Sequence, residues 1–310
     1  MPPAMAVSRW RAPDGWMLRR FDLPPAPGAA PRGSLLFLTG RGDFLEKYLE
    51  TYDHWRRAGW RVSGFDWRGQ GGSGRLLADR LVGHADDFGI LVDDLAAFVR
   101  EWLRDTPGPH VAIGHSMGGH LLLRLLARGA AGGVAGIDAA VLVAPMLGLG
   151  HAPMPAWLAR LVARLACAVG LGKRQAWREG ERPGARGEVR QTNLTGSIER
   201  YSDEGWWREH DPDVALGPPS WGWLRAALNS TALLDRPGAL DRVTLPVLLL
   251  ASTRDRLVSG AAIERAAARL PDARIARFDG AHELLREADP VRDRALALVD
   301  AFLDERAPAR

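Results

Sequence analysis

The run Val111-Ala112-Ile113-Gly114-His115-Ser116-Met117-Gly118-Gly119 constrains this chain more than any other. Strand-like apolar residues lead into it, and Leu121-Leu122-Leu123 with Leu125-Leu126 continue it as an apolar helix. A strand that reverses into a helix within a few residues brings backbones so close that Cβ atoms have no room, hence the glycines around Ser116. The turn holds Ser116 at the strand's carboxyl end, facing the first N–H groups of the helix. Those groups favour an anion, so Met117 N–H is the expected donor to a tetrahedral oxyanion formed at Ser116. Set between a strand and a helix, the glycine-x-serine-x-glycine pattern marks a nucleophile.

A serine hydroxyl is a weak nucleophile until a base takes its proton, so a histidine oriented by a carboxylate is required downstream. His282 fits best, because Asp279-Gly280-Ala281-His282-Glu283 follows a strand at 273–278 and precedes the last helix. His115 and His120 flank the serine on the turn and its helix, pointing away from its hydroxyl. His54, His84, His110, His151 and His210 have no comparable placement. Asp255, just after a strand at 245–251, is the expected orienting acid; Asp235 and Asp241 fall at that strand's wrong end, and Asp279 reads as a turn residue. A second oxyanion donor is expected from Thr39-Gly40-Arg41-Gly42, after the first parallel strand, and is assigned to the Arg41 backbone N–H. Arg41-Gly42-Asp43 matches an adhesion tripeptide by chance, and the glycines around Ser73 read as a loop.

Around these residues short apolar runs alternate with helical periodicity. An opening hairpin turns at Pro13-Asp14-Gly15 and is followed by strands at 34–39, 60–66, 110–114 and 139–143, with helices between them. The alternation stops from 148 to about 234, a stretch with six tryptophans and no strand-like runs, then resumes to the end. The pattern predicts an α/β doubly wound, mostly parallel sheet in two parts, 1–147 and 235–310, with a mainly helical cap at 148–234 inserted between them.

Composition excludes several classes. With 310 residues and 46% hydrophobic content the chain can bury a substantial core. The net charge of +4 is arginine-based, Lys47 and Lys173 being the only lysines, and the basic residues are interleaved with acids, unlike a nucleic-acid footprint. Cys167 stands alone, so no internal disulfide and no cysteine-based zinc cluster can form; no metal or cofactor is expected. The first 23 residues lack the apolar stretch of a signal peptide, which points to the cytoplasm.

Within the cap, Trp157, Leu158, Leu161, Val162, Leu165 and Val169 recur at helical spacing with Arg160 and Arg164 between them. The stretch is too short and too charged to cross a membrane. Such a stripe packs on its own domain, lines an acyl pocket or rests on a membrane surface as a peripheral contact. Trp157, Trp206 and Trp221 are the expected acyl contacts.

These blocks resemble the bacterial lysophospholipase and monoacylglycerol lipase-like branch of the α/β-hydrolase fold. The likeness rests on Gly40-Arg41 with Phe44 to Tyr48, on Asp66 to Ser73, on Gly114 to Gly119 and on His282-Glu283-Leu284-Leu285. In the cap it rests on Asn193-Leu194-Thr195 leading to Arg200-Tyr201 and on Leu216 to Pro219 leading to Trp221. It implies a serine carboxylic-ester hydrolase acting on a single-chain lipid ester, with Ser116, Asp255 and His282 as triad and Arg41 and Met117 as oxyanion donors. Thr39 departs from the histidine often found there in the wider fold, which puts the support of the oxyanion loop in question. Two alternatives stand beside this reading. A prolyl aminopeptidase-type enzyme would use the same triad and need cap carboxylates, such as Glu199, Asp203, Glu204 and Glu209, to hold a substrate amine. A non-catalytic binding protein would have no need to retain Ser, Asp and His together.

Overall fold

The computed structural model describes residues 2–129, 135–150, 154–177 and 188–309; His151 lies outside them. Its eight-stranded sheet has the order β1-β2-β4-β3-β5-β6-β7-β8. The strands are β1 (Ala6–Arg11), β2 (Met17–Leu23), β3 (Gly33–Leu38), β4 (Trp60–Phe65), β5 (His110–His115), β6 (Ala139–Val143), β7 (Val247–Ser252) and β8 (Ala273–Phe278). β1 pairs antiparallel with β2 and β2 with β4, while every other pairing is parallel. The hairpin turn falls at the expected Pro13-Asp14-Gly15, with Arg11 paired to Met17.

Both faces of β3, β5, β6 and β7 are buried, which is why these strands read as apolar runs, whereas the edge strand β8 is largely open to solvent. Leu36 and Leu38 of β3, Ala112 of β5, Ala140 and Leu142 of β6, and Leu249 of β7 point to one face. There they meet α2 (Phe88–Asp105), α3 (Met117–Leu126) and α8 (Gly260–Ala267). The alternate residues, Leu35, Phe37, Val111, Ile113, Val141 and Leu250, meet α1 (Leu49–Arg57) and α9 (Asp289–Arg306) on the other. Helix α2 begins where the Asp87 carboxylate accepts the Gly89 N–H, a cap worth about 1 kcal/mol.

Between β6 and β7 the described residues contribute α4 (Ala156–Ala168), α5 (Glu188–Leu194), α6 (Ile198–His210) and α7 (Trp221–Leu234), and no named strand. Helix α7 is built into the main core through Trp223, Ala226, Ala227 and Leu234. Its Leu224 and Leu228 hold α4 through Ala163. Ala163 is the one fully inward residue of α4. Of the predicted stripe, Leu158 and Val162 are half-buried, while Trp157 is 65% and Val169 72% exposed and Leu161 and Leu165 are also open to solvent. Packing of the whole stripe on its own domain is therefore not what occurs. Among the described residues no helix is long and apolar enough to cross a membrane.

Candidate active site

Ser116 lies between β5 and α3 with φ 51° and ψ −116°, a conformation that costs a residue bearing a Cβ roughly 1–3 kcal/mol and persists only where the surroundings enforce it. They do: Ser116 N–H donates to Val143 O at 2.9 Å, and Ser116 O accepts from His120 N at 3.0 Å and Met146 N at 3.0 Å. The flanking glycines are required by close approach. A Cβ on Gly118 would strike the carbonyls of Leu38 and Thr39, and one on Gly114 would come within 2.7 Å of Gly119 backbone atoms. Met117 opens α3 and is buried beneath the serine.

His282 and Asp255 come together as the sequence predicts. Asp255 Oδ2 accepts from His282 Nδ1 at 2.6 Å. Its Oδ1 is fixed by Leu257 N–H at 2.8 Å and Val258 N–H at 3.0 Å. Burial opposes the Asp255 charge, but the imidazole and these N–H donors outweigh it and hold the carboxyl below its usual range. Burial likewise works against an imidazolium at His282, yet Asp255 outweighs it and raises the His282 pKa. With Nδ1 engaged, Nε2 is the nitrogen left to take a proton. The ring of His115, one residue before Ser116, packs against that of His282 with centroids 4.8 Å apart, so the imidazole stands beside the serine turn.

The other acids and histidines are occupied elsewhere. Asp279 is exposed and pairs with Arg254 at 2.9 Å, and Asp235 and Asp241 are exposed. His54 meets Asp300, His84 meets Ser220, His110 meets Thr106, His120 meets Ser230 and His210 meets the Trp206 carbonyl. Ser73 is buried and donates to Asp66 O.

The loop after β3 reaches the serine: a Cβ on Gly40 would lie 3.2 Å from Ser116 Cβ. The peptide carrying the Arg41 N–H therefore runs past Ser116. Its support does not come from residue 39, whose hydroxyl is buried without a hydrogen-bond partner. Gln70 Nε2 donates to Gly40 O at 2.7 Å while Gln70 Oε1 accepts from Gly42 N at 3.1 Å, and Asp43 Oδ2 accepts the Gly40 N–H at 2.8 Å. Asp43 and Gln70 thus hold the loop, a role the sequence reading missed by treating Arg41-Gly42-Asp43 as chance. The buried glutamine between Gly69 and Gly71 was the available signal.

The predicted acyl contacts are scattered. Trp157 is exposed on α4, Trp206 is 48% exposed and stacked on His210 at 3.9 Å, and Trp221 is half-buried against the Ala163, Leu224 and Leu228 cluster. Two other tryptophans meet the loop after β3: Trp67 Nε1 donates to Thr39 O at 2.8 Å, and the Trp223 ring lies 5.2 Å beneath the Arg41 guanidinium.

A mostly parallel sheet with a strained serine turn after its central strand, and an aspartate–histidine pair on the loops after β7 and β8, defines an α/β-hydrolase-fold protein. Residues 29–289 match the hydrolase family described as serine aminopeptidase, S33, and the chain belongs to that family. It is 34% identical over 291 residues to lysophospholipase L2 of Escherichia coli, a match spanning 87% of this chain and 80% of that one. The probable lysophospholipase L2 of Haemophilus influenzae is 28% identical over 284 residues, spanning 90% and 86%. A soluble variant of the Saccharomyces cerevisiae monoglyceride lipase has the same fold, with a TM-score of 0.75 at 17% identity over 97% of this chain and 96% of that one.

Proposed function

We propose that this protein is a serine carboxylic-ester hydrolase acting on single-chain lipids such as lysophospholipid or monoacylglycerol. The observation that carries the mechanism is the 2.6 Å Asp255–His282 pair beside the strained Ser116 turn. Ser116 Oγ attacks the ester carbonyl as His282 Nε2 takes its proton, and the oxyanion accepts from Arg41 and Met117 N–H, each such donor being worth roughly 10²–10³ in turnover. The imidazolium then protonates the departing alcohol, leaving an acyl-Ser116 ester. Water, deprotonated by His282, releases the fatty acid. The lysophospholipase relatives support the substrate class.

Residues 148–234 act in this reading as a cap, with α4 mounted on α7 and with α5 and α6 seated on the His282 loop and Lys47, that sets acyl specificity and supplies no reacting group. A cap carboxylate site for a peptide amine, the aminopeptidase alternative, is disfavoured by α6. Its Glu204 is buried and already neutralised by Lys47, Arg190 and Arg208, while Glu199, Asp203 and Glu209 face solvent. A panel of lysophospholipids, monoacylglycerols, p-nitrophenyl esters of increasing chain length and aminoacyl amides tests the assignment. Each buried methylene is worth about 0.8 kcal/mol, roughly fourfold in kcat/KM until the pocket fills. A flat chain-length series, or faster cleavage of the amides, overturns the lipid reading. Fluorophosphonate labelling lost in Ser116→Ala separates an enzyme from a non-catalytic binding protein.

The outward face of α4 supports peripheral contact with an anionic membrane surface, on the cytoplasmic side. Residues 154–177 carry Arg160, Arg164, Lys173 and Arg174 and no acid, beside the exposed Trp157, Leu161, Leu165 and Val169. Co-sedimentation with vesicles containing phosphatidylglycerol, reduced in Leu161→Glu/Leu165→Glu, is the expected result; equal binding by wild type and variant removes α4 as the contact.

A further inference from the structure

Lys47 is one of the only two lysines in a chain otherwise rich in arginine, and it is wholly buried. Its ammonium meets Asp43 Oδ1 at 2.6 Å, Glu283 Oε1 at 2.6 Å and Glu204 Oε2 at 3.0 Å. The compact ammonium donates to Asp43 and Glu283, while Glu204 Oε2, which accepts no hydrogen bond, is held to it by charge alone. Each partner belongs to a different part of the site. Asp43 holds the Gly40 N–H of the oxyanion loop and accepts from the Tyr48 hydroxyl. Glu283 directly follows His282. Glu204 comes from α6, and Arg190 of α5 at 3.0 Å and Arg208 of α6 at 2.6 Å also pair with it. Arg286 closes the ring on Glu283 at 2.7 Å and reaches Glu204 at 3.5 Å.

The preceding helix, α5, and the turn after it grip the histidine loop through the backbone. Glu283 N–H donates to Leu194 O at 2.7 Å and His282 N–H to Asn193 O at 3.3 Å. Buried Thr195 donates its hydroxyl to Arg286 O at 2.7 Å, and Glu287 accepts from both Ala281 N–H and Gly196 N–H.

We infer that the buried ion cluster centred on Lys47 is a positioning device in which Glu204 of α6 completes a link between the oxyanion loop and the His282 loop. The inference rests on the Ser116–His282 mechanism proposed above. Seating of α5 and α6 then sets both catalytic loops at once, and their loosening releases both. Burial by itself would discharge Lys47, but Asp43, Glu204 and Glu283 keep it charged. The groups facing His282 are Asp255, His115, Glu283 and Asp43, with Lys47 behind the last two. Neutralising Glu204 leaves Lys47 to offset Asp43 and Glu283 alone, so less negative potential reaches His282.

The test is Glu204→Gln, assayed on p-nitrophenyl butyrate with active sites counted by fluorophosphonate titration, so that only folded enzyme enters kcat. Misplacement of catalytic groups by about 1 Å costs on the order of 100-fold, and a kcat loss of roughly 10- to 100-fold with KM little changed is expected. The acid limb of kcat/KM is expected to move to lower pH, which a purely structural loss would not cause. Thr195→Val, which alters no charge, is expected to lower kcat several-fold without moving the limb. Wild-type kcat and limb in Glu204→Gln overturn the inference while an inactive Ser116→Ala leaves the mechanism standing; an active Ser116→Ala overturns both. Should Glu204→Gln fail to fold, unchanged kcat in Thr195→Val overturns the inference.

Discussion

The buried rings of His115 and His282 pack at a 54° tilt with centroids 4.8 Å apart, yet their environments drive them in opposite directions. Burial, then the charge on His282, pushes His115 down to about 4, so it is neutral at pH 7. His282 is raised because Asp255 outweighs burial.

In the proposed mechanism the neutral form of His282 is the base, and raising its pKa means that a higher pH is needed to reach it. Activity is therefore expected to fall, as pH drops, through a single-proton limb lying above the ordinary imidazole value. In Asp255→Asn the limb moves down, because the group that raises it is gone. A kcat/KM profile from pH 4 to 9 checks this. A limb unmoved in that variant assigns it to another group.

Asp255→Asn is expected to lose on the order of 10⁴ in turnover with the fold retained, since the amide misdirects the imidazole. Asp279→Asn, at an exposed pair with Arg254, is expected to stay within about twofold of wild type, an exposed ion pair being worth no more than about 1 kcal/mol. Kinetics beside circular dichroism on both variants separate chemistry from folding. Equal losses would displace Asp255 from the proposed triad.

Gln70→Ala removes the side chain that satisfies Gly40 O and Gly42 N. Leaving buried backbone groups unpaired costs about 1–3 kcal/mol, and the loop carrying the Arg41 N–H loses a support. The expected outcome is a lower Tm with a fall in kcat larger than any rise in KM. A rise in KM at constant kcat would mean that the loop binds ground-state substrate instead.

Stability should also depend on the ion cluster. Burial raises the Glu204 pKa, but Arg208, Lys47, Arg190 and Arg286 more than reverse this and hold it well below the usual value. A depressed carboxylate contributes stability that is present above its unfolded pKa and lost as pH falls through the folded one. Thermal melts from pH 7 to pH 3 should show Glu204→Gln less stable than wild type at pH 7 but with a shallower acid loss. Parallel curves would show that Glu204 contributes nothing to the acid transition.

The serine turn was legible because its causes are local: Gly114, Ser116, Gly118 and Gly119 lie within six positions, and their close approach follows from reversing a strand into a helix. The inner strands β3, β5, β6 and β7 were legible for a related reason, since burial on both faces writes an apolar run. Asp255 and His282 were recoverable because chain order along such a sheet fixes which loops share an edge. Periodicity registered the stripe of α4 but not what covers it, because an apolar residue carries the same signal facing a core or facing outward. Tertiary structure alone decided the rest. Lys47 meets Glu283 across 236 positions of sequence, and charges pair by proximity in space, with no spacing rule along the chain to announce them. The same holds for Gln70 on the oxyanion loop and Trp223 beneath Arg41, whose roles exist only once separate loops have been brought to one edge of the sheet.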